Sequence, residues 1–306
     1  MRKITLAILI LGLGLSLMMP VYANSTTSSV REPWQVAMHN ALDWMQAASP
    51  DGPQVGGIIG EWSVIALVHA GRIDMGDAWL QSWLDELSGD TSRALRRWTD
   101  YQRVVLALDA LGLDATDFAG RNFAQPFWRF VPVSSRAVMN RTIMADIYAL
   151  RALNTVGQSS SLFFAHLMHV QRADGSWSLN PAQPSSAFDI DTTAMAVRAL
   201  APFYLQGNSR AVHAVGRAMP WLHAQTFNNA ESTAQMIVAL VGLGAAYAEY
   251  AAYYVNHLMQ WYDPALGGFI REGFSGRVNA LTTVQAAYAL AVYYQFMANM
   301  NVSSAR

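Results

Sequence analysis

Gln171-Arg-Ala-Asp-Gly175-Ser-Trp177 leads, after a short loop, into Asp189-Ile-Asp191-Thr-Thr193-Ala-Met-Ala-Val-Arg-Ala199-Leu200. The second half is an Ala-Leu-centred apolar segment, and five others share its pattern. They run Trp62 to Gly71, Tyr101 to Gly112, Met144 to Leu153, Ala234 to Gly244 and Thr283 to Tyr293, centred on Ala66, Ala107, Ala149, Ala239 and Ala289. Counting the segment at Ala199, the intervals are 41, 42, 50, 40 and 50 residues. A period of that size marks a helical repeat array. These segments are apolar on nearly every side, which suits helices buried all round.

Between them lie one-sided stretches. Trp34 to Met45, Asp77 to Leu87, Ser161 to Val170, Arg210 to Ala224 and Glu249 to Tyr262 carry apolar residues at i, i+3, i+4 spacing, and Asp117 to Phe130 is irregular and aromatic-rich. The expected fold is therefore all-α, one domain of six inner and six outer helices. Burial favours closure into an (α/α)6 toroid, because an open array leaves its first and last inner helices uncovered. Periodicity alone leaves an open solenoid as the alternative.

The quoted stretch also resembles known proteins. Gln171, Gly175 and Trp177 match the Gln…Gly-x-Trp repeat of squalene–hopene cyclases and protein prenyltransferase β subunits. Leu222-His-Ala-Gln225 is a degenerate copy, and Leu258-Met-Gln260 continues to Gly267-Gly268-Phe269, with Phe in place of Trp. The resemblance implies an α/α toroid over most of the chain. Asp189-Ile-Asp191-Thr192 is similar to the Asp-x-Asp-Asp acid motif of the cyclases, with Thr192 in the last place. It implies Asp191 as proton donor and Asp189 as the motif's first member. Squalene cyclases are about twice as long, with two toroids. Intrinsic factor and the transcobalamins, secreted single toroids that hold cobalamin against a β domain, are similar in size; this sequence carries no such β domain. That likeness implies an unknown small ligand, isoprenoid- or cobalamin-like, and a separate β-domain protein or a second toroid as partner.

Residues 1–23 read as a signal peptide: Arg2 and Lys3, an apolar run from Ile4 to Met19, and a small-residue cleavage site at Val21-Tyr22-Ala23. The toroid is then expected over 24–306, secreted or in the cell envelope. A retained membrane anchor is the alternative. Without Arg2 and Lys3 the chain has 18 basic against 21 acidic residues, a net charge of −3, so no basic field for nucleic acid exists. Charged residues make up 13% and hydrophobic ones 53%, a balance that suits broad buried faces and an apolar cavity. Cysteine is absent, which rules out disulfides and the Cys-containing zinc site of prenyltransferases and lanthionine cyclases. Lys3 is the only lysine, so the mature chain has no Schiff-base lysine. No metal site or cofactor is expected. His166 and His169 lie three apart on an outer helix with no third ligand near in sequence.

Asp191 and Glu231 each stand eight residues before the central Ala of their segment, so both are expected at inner-helix starts around one mouth of the ring. Three readings stay open. Either carboxylate can be a helix cap, with its pKa lowered by backbone N–H bonds. Asp191 can be the acid of a class II terpene cyclase-like enzyme. Asp191 or Asp189 can pair with Glu231 as glycosidase carboxylates. Thr192, Trp177, Phe188, Tyr101 and Arg141 complete the expected lining of that mouth. Arg103, Arg141 and Arg198 fall on or near inner helices, where each needs an acidic partner or an anionic ligand. The leading expectation is a non-catalytic binding module holding a small ligand or a partner domain.

Overall fold

A computed structural model describes residues 31–91, 93–128, 142–158, 160–181, 189–272 and 276–304. The signal peptide expected at 1–23 lies outside them, as do Arg141, Phe188, Phe130 and Phe274. The helices all belong to one unit, Glu32–Arg306.

The fold is all-α. Twelve helices are found among the described residues: α1 (Pro33–Ala48), α2 (Glu61–His69), α3 (Ala78–Ser88), α4 (Trp98–Ala110), α5 (Gln125–Trp128), α6 (Ile143–Thr155), α7 (Ser161–His169), α8 (Asp189–Leu205), α9 (Ser209–His223), α10 (Ala230–Leu243), α11 (Ala248–Leu258) and α12 (Ala280–Ser304). The only strands described are β1 (Tyr262–Asp263) and β2 (Gly268–Phe269), an antiparallel pair with Tyr262 opposite Phe269. None of the described helices is long and apolar enough to cross a membrane.

The six Ala-Leu segments are the even-numbered helices. α2 packs on α4, α4 on α6, α6 on α8, α8 on α10, α10 on α12, and α12 returns to α2. That cyclic order explains the apolar circumference of each segment. In α10 every residue from Ala230 to Leu240 is buried, including Thr233 and Gln235. Odd-numbered helices cover them from one side. α9 buries Ala211, Ala214, Val215, Ala218, Met219 and Leu222, one stripe at helical spacing. Among the described residues the irregular aromatic stretch supplies only the single turn α5, which follows turns and bends and carries Pro126 in its first turn.

Polar residues set the helix ends. Asp77 accepts from the Trp79 N–H at 2.8 Å to start α3, and Asn208 accepts from Arg210 at 3.1 Å to start α9. Gly71 and Gly112 end α2 and α4 in the left-handed region, at φ +63° and +71°.

Candidate functional site

The starts of the inner helices lie side by side. Arg103 on α4 reaches Glu61 at the start of α2, and Gln102 donates to the Ala145 carbonyl at the start of α6 (3.0 Å). Ser232 of α10 donates to Asp191 of α8, and Thr282 of α12 donates to Glu231 of α10 at 2.7 Å. The first turns of α2, α4 and α6 are thus neighbours, as are those of α8, α10 and α12, and together they carry the acidic residues of the rim.

Most of the rim carboxylates are neutralised locally. Glu61 is fully buried, accepts from the Gly56 N–H at 2.6 Å and pairs with Arg103 at 3.3 Å. Burial nevertheless outweighs Arg103 and holds its carboxyl above the usual range. Asp100 pairs with the same Arg103 at 3.1 Å. Asp146 accepts from His166 Nδ1 at 2.9 Å, Asp189 pairs with Arg172 at 2.7 Å, and Glu231 pairs with Arg271 at 3.3 Å.

Asp191 differs. Among the described residues it forms no ion pair, and the hydrogen bond it accepts there comes from the Ser232 hydroxyl of the next helix. Burial pushes its carboxyl up to about 6, helped by the neighbouring Glu231 charge and opposed by the Ser232 bond and by Arg271. This is the reverse of what a cap would do. Thr192 is buried beside it.

A threefold sequence pattern underlies this rim. Asp189-x-Asp191-Thr192-Thr193, Asn229-x-Glu231-Ser232-Thr233 and Asn279-x-Leu281-Thr282-Thr283 start α8, α10 and α12 in one register. The fourth position, Ser232 or Thr282, passes a hydroxyl to the carboxylate of the preceding helix. Ser232 and Thr282 were readable from the same register that singled out Asp191 and Glu231, each standing seven residues before its central Ala. In α8 and α12 the fifth position anchors the preceding loop, whereas Thr233 of α10 donates to the Asn229 carbonyl at 2.9 Å. Thr193 Oγ1 accepts from the Trp177 N–H at 2.9 Å and donates to its carbonyl at 3.2 Å. Thr283 makes the same pair of bonds to Phe269, at 3.0 and 3.4 Å. Phe269 thus replaces Trp177 in place as well as in sequence.

Trp177 itself is fully buried, with its indole N–H donating to the Leu167 carbonyl at 2.7 Å. It packs between helices instead of lining a mouth. Gln171 donates to the carbonyls of Gly175 (2.8 Å) and of Ala214 inside α9 (2.9 Å), since its amide N–H groups need acceptors that a helix start does not offer. Gly175 turns at φ +94°, and a Cβ there would collide with the Arg217 carbonyl. The later copies keep less of this: Gln225 bonds within its own helix to Trp221, and Gln260 turns to His257. Tyr101 is half-buried, with its ring 6.5 Å from that of Phe123.

Inside the ring, aromatic side chains meet across the lumen. Trp62 of α2 lies 5.8 Å from Tyr148 of α6 and 5.0 Å from Tyr288 of α12. Arg151 of α6 stacks on Trp62 at 5.6 Å and donates to the Tyr288 hydroxyl at 3.0 Å. Beyond this plug, among the ends of α2, α4, α6 and α8, opens a cavity of about 350 Å³. Ile65, Leu106 and Pro202 supply apolar wall; His69, Arg151, Asn154, Arg198, Gln206 and Tyr288 supply polar groups. This hollow lies at the end of the helices opposite the rim where ligand lining was expected. Sequence reasoning raised only Arg198 of these polar groups. Arg151 and Arg198 follow Leu150 and Val197, one on either side of the central Ala register, and are otherwise unremarkable in sequence.

No group of three or more His, Asp or Glu suited to a metal ion occurs among the described residues. No family model matches the chain, and no curated protein matches it.

Proposed function

We propose that this chain is a ligand-binding ring that does no chemistry, exported through the segment 1–23, with a small molecule held in its lumen. The observation that carries the reading is the cavity between the ends of α2, α4, α6 and α8, which combines apolar wall with convergent polar groups. The likeness of Gln171, Gly175 and Trp177 to toroid repeats supports the same architecture, and the ring order of the inner helices agrees with it. Native mass spectrometry of the purified full chain tests the proposal. A copurified small molecule at one per chain is the expected result. A chain that carries none, and takes up none from a concentrated small-molecule extract, refutes it. A stoichiometric second protein in the same spectra would instead favour a β-domain or second-ring partner.

One observation favours an enzymatic reading. Burial pushes the Asp191 carboxyl up to about 6, and a general acid needs a proton held near the operating pH. Conversion of squalene or an isoprenoid diphosphate to cyclic products by the wild type, lost in Asp191→Asn, would establish it.

A further inference from the structure

The arginines of the lumen are placed unlike the others in the ring. Arg103, Arg172 and Arg271 each pair with a rim carboxylate. Among the described residues Arg198 pairs with no carboxylate, and its Nε is buried without a hydrogen-bond partner. Its stem crosses α10 at Gly242, where a Cβ would lie 2.6 Å from the Arg198 Cδ. Gly242 thus leaves the passage through which Arg198 reaches the cavity. Among the described residues Arg151 forms no ion pair either; it meets the Tyr288 hydroxyl and the Trp62 face.

These charges also repel one another. Burial and then the Arg151 charge pull the Arg198 pKa below its usual value. Burial lowers that of His69, whose Nδ1–H donates to Gln295, and both arginines lower it further. Asp109, on the same wall, is exposed and forms no ion pair among the described residues; burial raises its carboxyl, with no lowering by either arginine. Two guanidinium groups gathered in a partly apolar hollow are costly unless a counter-charge joins them.

We infer that the cavity is an oxyanion site, in which Arg151 and Arg198 together grip the carboxylate or phosphate group of a compact organic anion. Each guanidinium presents a planar fork of N–H donors matched to such a group. The Tyr288 hydroxyl accepts from Arg151 and keeps its own proton to donate. Ile65, Leu106 and Pro202 would face the carbon skeleton. A volume of about 350 Å³ sets the size, on the order of a dozen non-hydrogen atoms when each takes roughly the share of one water. The inference rests on the binding reading above and names the ligand's chemistry.

The test measures melting temperature of the dialysed full chain in chloride, inorganic phosphate or succinate at matched ionic strength. At about a hundred times Kd, a bound anion raises the melting temperature of the wild type by roughly 5 °C over chloride. A response to phosphate alone assigns a phosphate ester, to succinate alone a carboxylate, and to both the shared chemistry. Arg198→Leu abolishes the response and, in chloride, melts no lower than the wild type, because its buried unpaired charge is gone. Where Arg198→Leu does not fold, Gly242→Ala, which crowds the Arg198 stem, weakens anion affinity about tenfold, and Arg151→Gln does likewise. The inference is overturned if neither anion exceeds chloride, or if the response survives Arg198→Leu. A copurified neutral ligand with no anion response would sink the oxyanion site and leave the binding ring standing. A chain that binds neither would sink both.

Discussion

Replacing Asp191 by Asn tests the local chemistry of the rim directly. The Asp191 carboxyl titrates at about 6 in the folded ring, against an ordinary aspartate value of 3.8. Because the folded-state value is the higher one, folding disfavours the charged form. The resulting penalty is absent below about pH 4, grows through the interval between the two values, and is complete above about pH 6. That displacement corresponds to a ceiling of about 3 kcal/mol at neutral pH. Asp191 keeps partial solvent exposure, so about 1–2 kcal/mol is the working figure. Asparagine retains an acceptor for the Ser232 hydroxyl and carries no charge. Asp191→Asn is therefore expected to be more stable than wild type by about 1–2 kcal/mol at pH 7.5, and the gain should vanish near pH 4. Urea denaturation of both proteins from pH 3.5 to 8 measures the difference, in which the titration of other groups cancels. A variant less stable than wild type at pH 7.5, or a difference independent of pH, would show that the carboxylate stabilises the helix start as a cap and refute the reasoning.

Trp177→Ala should cost about 3–5 kcal/mol, a fall of roughly 10 °C in melting temperature, because a fully buried indole and its bond to Leu167 are lost together; an unchanged transition would show that the motif does not hold the loop. Gly175→Ala should cost at least about 2 kcal/mol, since the left-handed backbone and the Arg217 carbonyl both oppose a side chain, and calorimetry reads it. Thr193→Val and Thr283→Val should each cost about 1–2 kcal/mol by denaturant titration, and by similar amounts, since both threonines make the same two loop bonds. Markedly unequal losses would break the structural equivalence of Trp177 and Phe269.

The helical repeat was legible in the chain because burial on all sides leaves its mark on every position of a segment. The Ala-Leu register alone identified α2, α4, α6, α8, α10 and α12, and the i, i+3, i+4 stripes identified α1, α3, α7, α9 and α11. Local chemistry was legible too: the Gln171, Gly175 and Trp177 turn acts over residues that are near in sequence, apart from the reach to Ala214. Ring closure was not, since periodicity is the same in an open array; the packing of α12 on α2 is an observation of the tertiary structure that supports it. The state of Asp191 was not readable either. A first-turn aspartate is ordinarily a cap with a lowered pKa, and here burial, together with the charge of Glu231 from the next inner helix, reverses that against the pull of the Ser232 bond. Nor could sequence say which arginines find acids. Arg103 meets Glu61, 42 residues distant, whereas Arg198 has Gly242, Arg151 and Tyr288 as neighbours and no acid among the described residues. Charges and cavities are settled by neighbours that folding brings together, and a one-dimensional pattern records the burial of a face without recording what it faces.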